Sequence, residues 1–437
     1  MPEKLTGEMC RRLFLQADDA AACFALRDHL AACGNAADSY LADMAGDALL
    51  KCSAENLFRA GTTFYLLGRH EEATKFYRLA FDADPEPMAV LHRNLSINLW
   101  GEGRFADAQY HRDLAFRHQR IFVEHASPAE KTILILCSGT RGDVPVDALI
   151  ANKSYRLVKW VIEYAPDVQN EVLPPYDIVF NAIGDADVAE RTQHQVATFL
   201  RNCNKPILNP PQAIARTSRD RIPDLLRNID NVFIPAATRI ATAAIGKIPS
   251  ETAPRDFPLL LRPIAGHGGE FLVKLDTPDA LSAFSPAGVD EYYLCGYREY
   301  RSADGHFRKY RIVFVDREPY PYHLAISRHW MVHYQSAMIP AEPWKIAEEQ
   351  KFLDDPAGVI GQQAMTAIAA IGREIDLDFA GIDFSILPDG RVLLFEVNAT
   401  MLVHAEDGDG AFGFKNACVQ KITDAFERHL ASCMRAP

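Results

Sequence analysis

The sequence is short of the features that would place it in several large classes. Its nine cysteines are scattered singly (Cys10, Cys23, Cys33, Cys52, Cys137, Cys203, Cys295, Cys418, Cys433), with no CxxC pair. Such an odd, unpatterned set excludes a disulfide frame and a cysteine-built zinc site, and reads as reduced thiols. Basic residues are in deficit, 46 against 58 acidic, for a net charge of −12. A nucleic-acid binder needs a basic face to displace counterions, so no nucleic-acid partner is expected. No run approaches the roughly 18 uninterrupted apolar residues of a membrane span, and no membrane partner is expected. The opening MPEKLTGEMCRRLF carries acids early and lacks an apolar stretch followed by small residues. A secretion signal is therefore not expected, and the cytoplasm is the expected location. What remains is 48% hydrophobic and 24% charged over 437 residues, which predicts a globular chain of two or three domains.

The first third is helical and repetitive. In AENLFRAGTTFYLLGRHEEATKFYRLAFDADP (Ala54–Pro85), the residues Leu57, Ala60, Gly61, Phe64, Gly68, Ala73, Tyr77, Ala80 and Pro85 are spaced as in a helix–turn–helix repeat of about 34 residues. Small residues let paired helices approach, Gly68 ends the first helix and Pro85 closes the second. A weaker copy follows through Leu95, Ser96, Leu99, Gly103, Ala108 and Ala115. These positions resemble the tetratricopeptide family, although Leu57 stands where that family usually has tryptophan. Leu5–Lys51 reads as a cap or degenerate repeat. The helical domain is expected over residues 1–125.

The pattern then changes. TILILC (Thr132–Cys137), YDIVFNAI (Tyr176–Ile183) and KPILN (Lys205–Asn209) read as strands with a helix at about Val188–Asn202, predicting a small α/β domain over residues 126–215. Beyond residue 216 strands dominate (FPLLLRP, EFLVKL, DEYYLC, YRIVFVD, PYHLAIS), with helices over Pro356–Arg373 and about Phe414–Ser432. The fold class is α+β multi-domain.

DFAGIDFSILPDGRVLLFEVNATM (Asp378–Met401) reads as a β-hairpin on a two-residue Asp389-Gly390 turn. Counting outward places Asp383 opposite Glu396 and Gly381 opposite Asn398. Alternation puts Asp383, Glu396 and Asn398 on one face and Ile382, Phe384, Ile386, Leu393, Phe395 and Val397 on the core face. Carboxylates opposed across a ladder repel each other unless a cation or ligand lies between them. Gly381 is expected to leave it room, and oxygen donors at this density suit Mg²⁺.

GIDF…GRVLLFEVNAT is similar to the C-terminal metal motif of the ATP-grasp superfamily, and the likeness spans about residues 131–430. It implies a pre-ATP-grasp α/β layer plus two α+β subdomains, with the nucleotide and catalytic part over 216–437, and ATP and Mg²⁺ as cofactors. Asp383, Glu396 and Asn398 would be the metal ligands. DFPLLLRPIAGHGGEFLVKL resembles the family's strand, glycine loop and strand, which makes Arg262, Gly266, His267, Gly268 and Gly269 the phosphate contacts. NPPQAIARTSRDRIPDLL resembles the segment whose lysine meets phosphate; Arg221 takes that position here, with Arg219 a rival. VDEYYLCGYREY falls at the adenine hinge, so Leu294, Cys295, Gly296 and Tyr297 would meet the base and Glu299 the ribose.

Arg308, Lys309 and Arg311 cluster in an otherwise acidic chain. Lys309 and Arg311 share a strand face, so both can aim at one anion, and in the resemblance Arg311 stabilises the transferring phosphate. Peptide-forming relatives of D-alanine ligases carry an arginine two residues before the metal aspartate. Here Gly381 takes that place, leaving Arg311 and Arg328 as candidates. The pattern is closer to the glutathione-synthetase and ribosomal-protein glutamate-ligase branch. His323, Ser327, His333 and Tyr334 are candidate substrate contacts, with half-buried packing residues as the alternative.

The implied activity is ligation of a carboxylic acid to an amine, or less often a thiol, through an acyl phosphate. The helical repeats would recruit a peptide, a protein or a second protomer. A kinase acting on a small molecule and a non-catalytic scaffold with a retained nucleotide site are the alternatives.

Overall fold

The computed structural model describes residues 7–84, 89–124, 131–150, 155–247, 257–264, 266, 269, 271–285, 289–337 and 342–435. They form two compact units that divide after Arg120.

The first unit is helical: α1 (Gly7–Gln16), α2 (Ala20–Ala32), α3 (Ala36–Lys51), α4 (Ala54–Leu66), α5 (His70–Ala83), α6 (Ala89–Gly101) and α7 (Phe105–His118). Side-chain caps start three of them, since Asp19, Asn35 and Ser53 accept the N–H groups of Ala22, Asp38 and Asn56. α2 packs on α3, α4 on α5 and α6 on α7. Leu57, Ala60, Phe64, Ala73, Tyr77 and Ala80 share one core with Leu95, Leu99 and Ala108, as the repeat spacing requires. Pro85 lies outside the described residues. Arg69 is buried in this core; its guanidinium meets Asp38 at 2.7 Å and Glu72 at 2.8 Å and covers the Phe14 ring at 4.4 Å. Two carboxylates and an aromatic face offset the cost of removing that charge from water.

The second unit contains three sheets. The first joins β1 (Ile121–Glu124), β2 (Lys131–Cys137), β3 (Tyr155–Val161), β4 (Ile178–Asn181) and β5 (Ile207–Leu208) in the order β1-β3-β2-β4-β5, all parallel except the edge strand β1. β1 and β3 extend the three strands expected from the sequence. After the short β6 (Val232–Phe233), β7 (Ala237–Ala241), β8 (Leu259–Pro263), β9 (Val273–Leu275) and β10 (Glu291–Gly296) make an antiparallel sheet in the order β7-β10-β8-β9. The third sheet runs β12-β11-β13-β14-β6, from β11 (Phe307–Val315), β12 (Glu318–Ser327), β13 (Phe379–Ile386) and β14 (Val392–Asn398). The helix expected over Pro356–Arg373 is two helices, Pro356–Ile360 and Gln362–Ile375, because Gly361 at φ 91° interrupts the chain. The second covers one face of the third sheet, where Ile368, Ile371 and Ile375 pack with Ile312, Ile382 and Phe384.

Asn209 joins the first and third sheets. Its side chain pairs with both backbone groups of Phe379 at 2.8 and 2.9 Å, while its N–H donates to Asp378 at 2.6 Å. Asp378 in turn holds His429 on the C-terminal helix at 2.8 Å. Sequence-distant segments thus fix the height of β13, the strand that carries Asp383.

Candidate active site

β13 and β14 pair so that Asp383 faces Glu396 and Gly381 faces Asn398. The register nearer the turn differs from the expected one, because Phe384 pairs with Leu394 and Ile386 with Val392. The loop has three residues, Pro388–Gly390, with Gly390 at φ 84°. That is the geometry of a type I turn closed by a left-handed residue. A bulge at Phe395 then restores the phase. Two departures of one residue cancel, so the acids stand opposite each other as counted. The bulge also moves Phe395 off the core face: it lines the cleft and packs against Tyr300 at 5.0 Å.

The ladder continues through β11 and β12, since Arg311 pairs with Asp383 on one side and with His323 on the other. One row, His323–Arg311–Asp383–Glu396, therefore crosses four strands on one face. Arg311 binds both oxygens of Asp383 at 2.6 and 2.8 Å, and Lys309 reaches the same carboxylate at 3.2 Å. Glu396 receives Arg219 at 2.7 Å and Arg262 at 3.3 Å. Burial raises the affinity of both acids for protons, but the paired cations prevail. Asp383 is held far below the ordinary carboxylate range by Arg311 and Lys309, and Glu396 is held down to about 2 by Arg219 and Arg262.

These groups open on a cleft of about 390 Å³. Its lining includes the apolar Ile222, Ile234, Pro235, Leu260 and Leu394 as well as Trp330, Met331, His333, Thr400 and Met401. Asn398 also lines it, and its Oδ1 accepts the Thr400 N–H at 2.6 Å and the Thr400 hydroxyl. The space above Gly381 is not available to a cation. A Cβ there would lie 2.6 Å from Met401 Cγ and 2.8 Å from the Ile312 carbonyl, so Met401 fills the gap and no arginine fits at this position. The expected ligands themselves, two carboxylates and a carboxamide, offer oxygen donors. That set fits a hard divalent cation.

The other expected site residues divide clearly. Arg262, Gly269, Cys295, Gly296, Tyr297, Lys309, Arg311 and His333 line the cleft. Arg262 donates to the Gly266 carbonyl, and Gly269 lies against the His333 ring. His267 and Gly268 lie outside the described residues. Arg221 is exposed, on the Ala215 carbonyl at 3.2 Å, and its rival Arg219 lines the cleft. Leu294 is buried in the core of the second sheet, and interior β10 spends its backbone groups on β7 and β8. Tyr297 N–H is spent on the Pro258 carbonyl at 2.9 Å. Glu299 is exposed and accepts the N–H groups of Tyr300 and Arg301. Arg328 is exposed outside the cleft, and Ser327 accepts the His329 N–H at 3.0 Å.

His323 and Tyr334 belong to a closed polar cluster. Their rings stack at 4.6 Å, Tyr334 O–H donates to Glu349 at 2.9 Å, and Lys415 donates to the tyrosine oxygen and to Glu406, each at 3.1 Å. Burial lowers the His323 pKa well below its ordinary value, reinforced by Arg311, and burial raises Glu349 to about 7. Tyr300, Trp330, Thr400 and Met401 also line the cleft, although the sequence assigned them no role.

No protein-family model matches the chain, and no curated protein matches it. Among solved structures it is similar to an ATP-grasp RimK domain protein from Sphaerobacter thermophilus (15% identity, 68% of this chain and 99% of that one, TM-score 0.41). It is also similar to a D-alanine–D-alanine ligase from Bacillus anthracis complexed with ATP (13%, 69% and 99%, TM-score 0.38). A third is the ATP-grasp ligase PsnB complexed with a phosphomimetic variant of its minimal precursor, Mg and ADP (15%, 69% and 99%, TM-score 0.38). The chain is thus similar to solved ATP-grasp proteins. With TM-scores below 0.5, these likenesses add nothing to what the cleft itself supports.

Proposed function

We propose that the chain is an ATP- and Mg²⁺-dependent ligase that joins a carboxylic acid to an amine through an acyl phosphate. The observation that carries this reading is the charge arrangement of the row: two opposed carboxylates with four cations, in a cleft that is also lined by apolar side chains. Arginine stays charged at any accessible pH, so these cations persist and suit a polyphosphate. The apolar side chains of Ile222, Leu260 and Leu394 would take the base, with Arg219 and Arg262 on the phosphates. Asp383, Glu396 and Asn398 would hold magnesium, which supplies charge neutralisation on the transferring phosphate.

In the proposed reaction Arg311 and Lys309 orient the terminal phosphate toward the incoming carboxylate oxygen. The new O–P bond forms as the bond to ADP breaks, the amine then forms the C–N bond, and phosphate leaves with its oxygen. Positioning and charge stabilisation suffice, and no covalent protein nucleophile is needed. The substrates fit beside Trp330, His333 and Thr400. Gly184, just beyond β4, abuts the Ala399 backbone and Thr400, so the loop after β4 borders the cleft there. The exposed Val90, Ile97, Trp100 and Phe105 of α6 and α7 support recruitment of a peptide, protein or second protomer by the helical unit.

The test is ADP release against a panel of acids and amines with hydroxylamine present. A hydroxamate is the expected product. ADP release without hydroxamate indicates the kinase reading, and nucleotide binding without any turnover indicates the scaffold.

A further inference from the structure

Asp316 and Arg317 form the turn between β11 and β12, at φ 49° and 69°, the left-handed pair of a two-residue hairpin turn. The turn brings Arg317 to Asp376, which ends the helix Gln362–Ile375, at 2.9 Å, and to Asp378, just before β13, at 3.1 Å. Arg317 also meets Asp316 at 2.7 Å. Against these groups lies His429 of the C-terminal helix Asn416–Cys433, and each of its ring nitrogens faces a carboxylate. Nε2 stands 2.8 Å from Asp378 Oδ1, and Nδ1 stands 3.3 Å from Asp316 Oδ2. A neutral imidazole has one N–H and would set a bare lone pair against the other acid; only the imidazolium carries a proton toward both. Three carboxylates share Arg317 here, and the imidazolium supplies a second positive charge. The Cys433 thiol, 3.7 Å from Nε2, stays protonated because burial and the acids raise its pKa. The hydrogen bond from Asp378 raises the His429 pKa above 6.5, burial and Arg317 oppose it, and the charges of Asp378 and Asp316 add to it. Asp378 also accepts the Asn209 N–H at 2.6 Å, and Asn209 holds both backbone groups of Phe379, the first residue of β13. A chain of hydrogen bonds thus runs from His429 through Asp378 and Asn209 to the strand that carries Asp383.

We propose that His429 is a positioning residue that works as a proton-controlled clamp: as the imidazolium it ties the C-terminal helix to Asp316 and Asp378 and so steadies the start of β13, and on losing its proton it releases one of the two acids. The clamp belongs to the scaffold of the third sheet and holds whatever the cleft binds. Because the folded chain keeps this proton more tightly than the unfolded chain, the clamp's contribution is complete below about pH 6.5 and is lost as pH rises through the raised value.

Amide hydrogen exchange of the full chain between pH 6 and 9, read by mass spectrometry on peptides covering Phe379–Asp383 and corrected for the intrinsic pH dependence of exchange, tests this. In the wild type, exchange of this segment should accelerate by about fivefold as His429 loses its proton. In His429→Gln it should be fast throughout, with no such step. A merely structural histidine would give faster exchange in the variant at every pH and leave the step in place, and that result overturns the clamp. So does a wild type with no step. Should His429→Gln not fold, Asp316→Asn carries the same comparison. It lies in an exposed turn, asparagine tolerates the left-handed backbone there, and loss of its charge should move the step to lower pH. An unmoved step in Asp316→Asn overturns the proposal as well.

Discussion

The row on β11–β14 and the cluster around Tyr334 both bury charge and meet at His323, yet they balance it in opposite ways. In the row, four cations face two carboxylates. Around Tyr334, Glu349 and Glu406 share the single cation Lys415, whose ammonium also lies 4.2 Å from the Tyr334 ring. The second cluster can correct its imbalance internally, because a carboxyl can take up a proton, and Glu349 is raised to about 7 by burial. The first cannot, because arginines do not release theirs. A surplus that protonation can remove is structural chemistry; a surplus that persists is an invitation to an external anion.

The largest effect should come from Glu396→Gln, which keeps the shape and a hydrogen-bond acceptor but removes the charge. Turnover should fall by at least about 10³-fold with the circular dichroism spectrum unchanged. Near-normal turnover in that variant would place the row with the structural cluster. Arg311→Ala is expected to cost about 10²–10³-fold in kcat, whereas the exposed Arg328→Ala should leave kcat within about twofold.

The Tyr334 cluster has its own signature in stability. Glu349 moves from 4.5 to about 7 on folding, so the folded chain holds a proton that the unfolded chain has released between those values. Its contribution is complete below the ordinary glutamate range and is lost as pH rises through about 7, by up to ~3 kcal/mol. Thermal melts of Glu349→Gln should therefore show less loss of Tm from pH 5 to 8 than the wild type; parallel curves would remove Glu349 from the account. The smallest contrast is also the sharpest: Arg219→Ala should weaken nucleotide binding about tenfold, roughly 1.4 kcal/mol, and Arg221→Ala should not change it.

Much of this was legible in the sequence where a period applies. Side-chain alternation put Asp383, Glu396 and Asn398 on one face and Lys309 with Arg311 on another shared face, and repeat spacing located the helix pairs. Legibility failed where no period exists. Residues 216–221 lie in consecutive turns between short helices, so nothing local distinguishes Arg219 from Arg221. Phe395 has the character of a core residue, and its bulge is set by its neighbours on β13. That β10 is an interior strand follows from its two flanking strands, and β7 is too short to announce itself. The room above Gly381 depends on Met401, a residue from beyond the hairpin.

The bulge has a practical consequence. The pairing of Asp383 with Arg311 is dictated by the unbroken run of β11 against β13 from Tyr310–Phe384 to Val315–Phe379, and owes nothing to the tip at Pro388–Gly390. The extra residue at Phe395 lies between the tip and the acids and offsets the three-residue loop. A fluorophore or short epitope inserted there would report on the chain without disturbing the charged row beneath it.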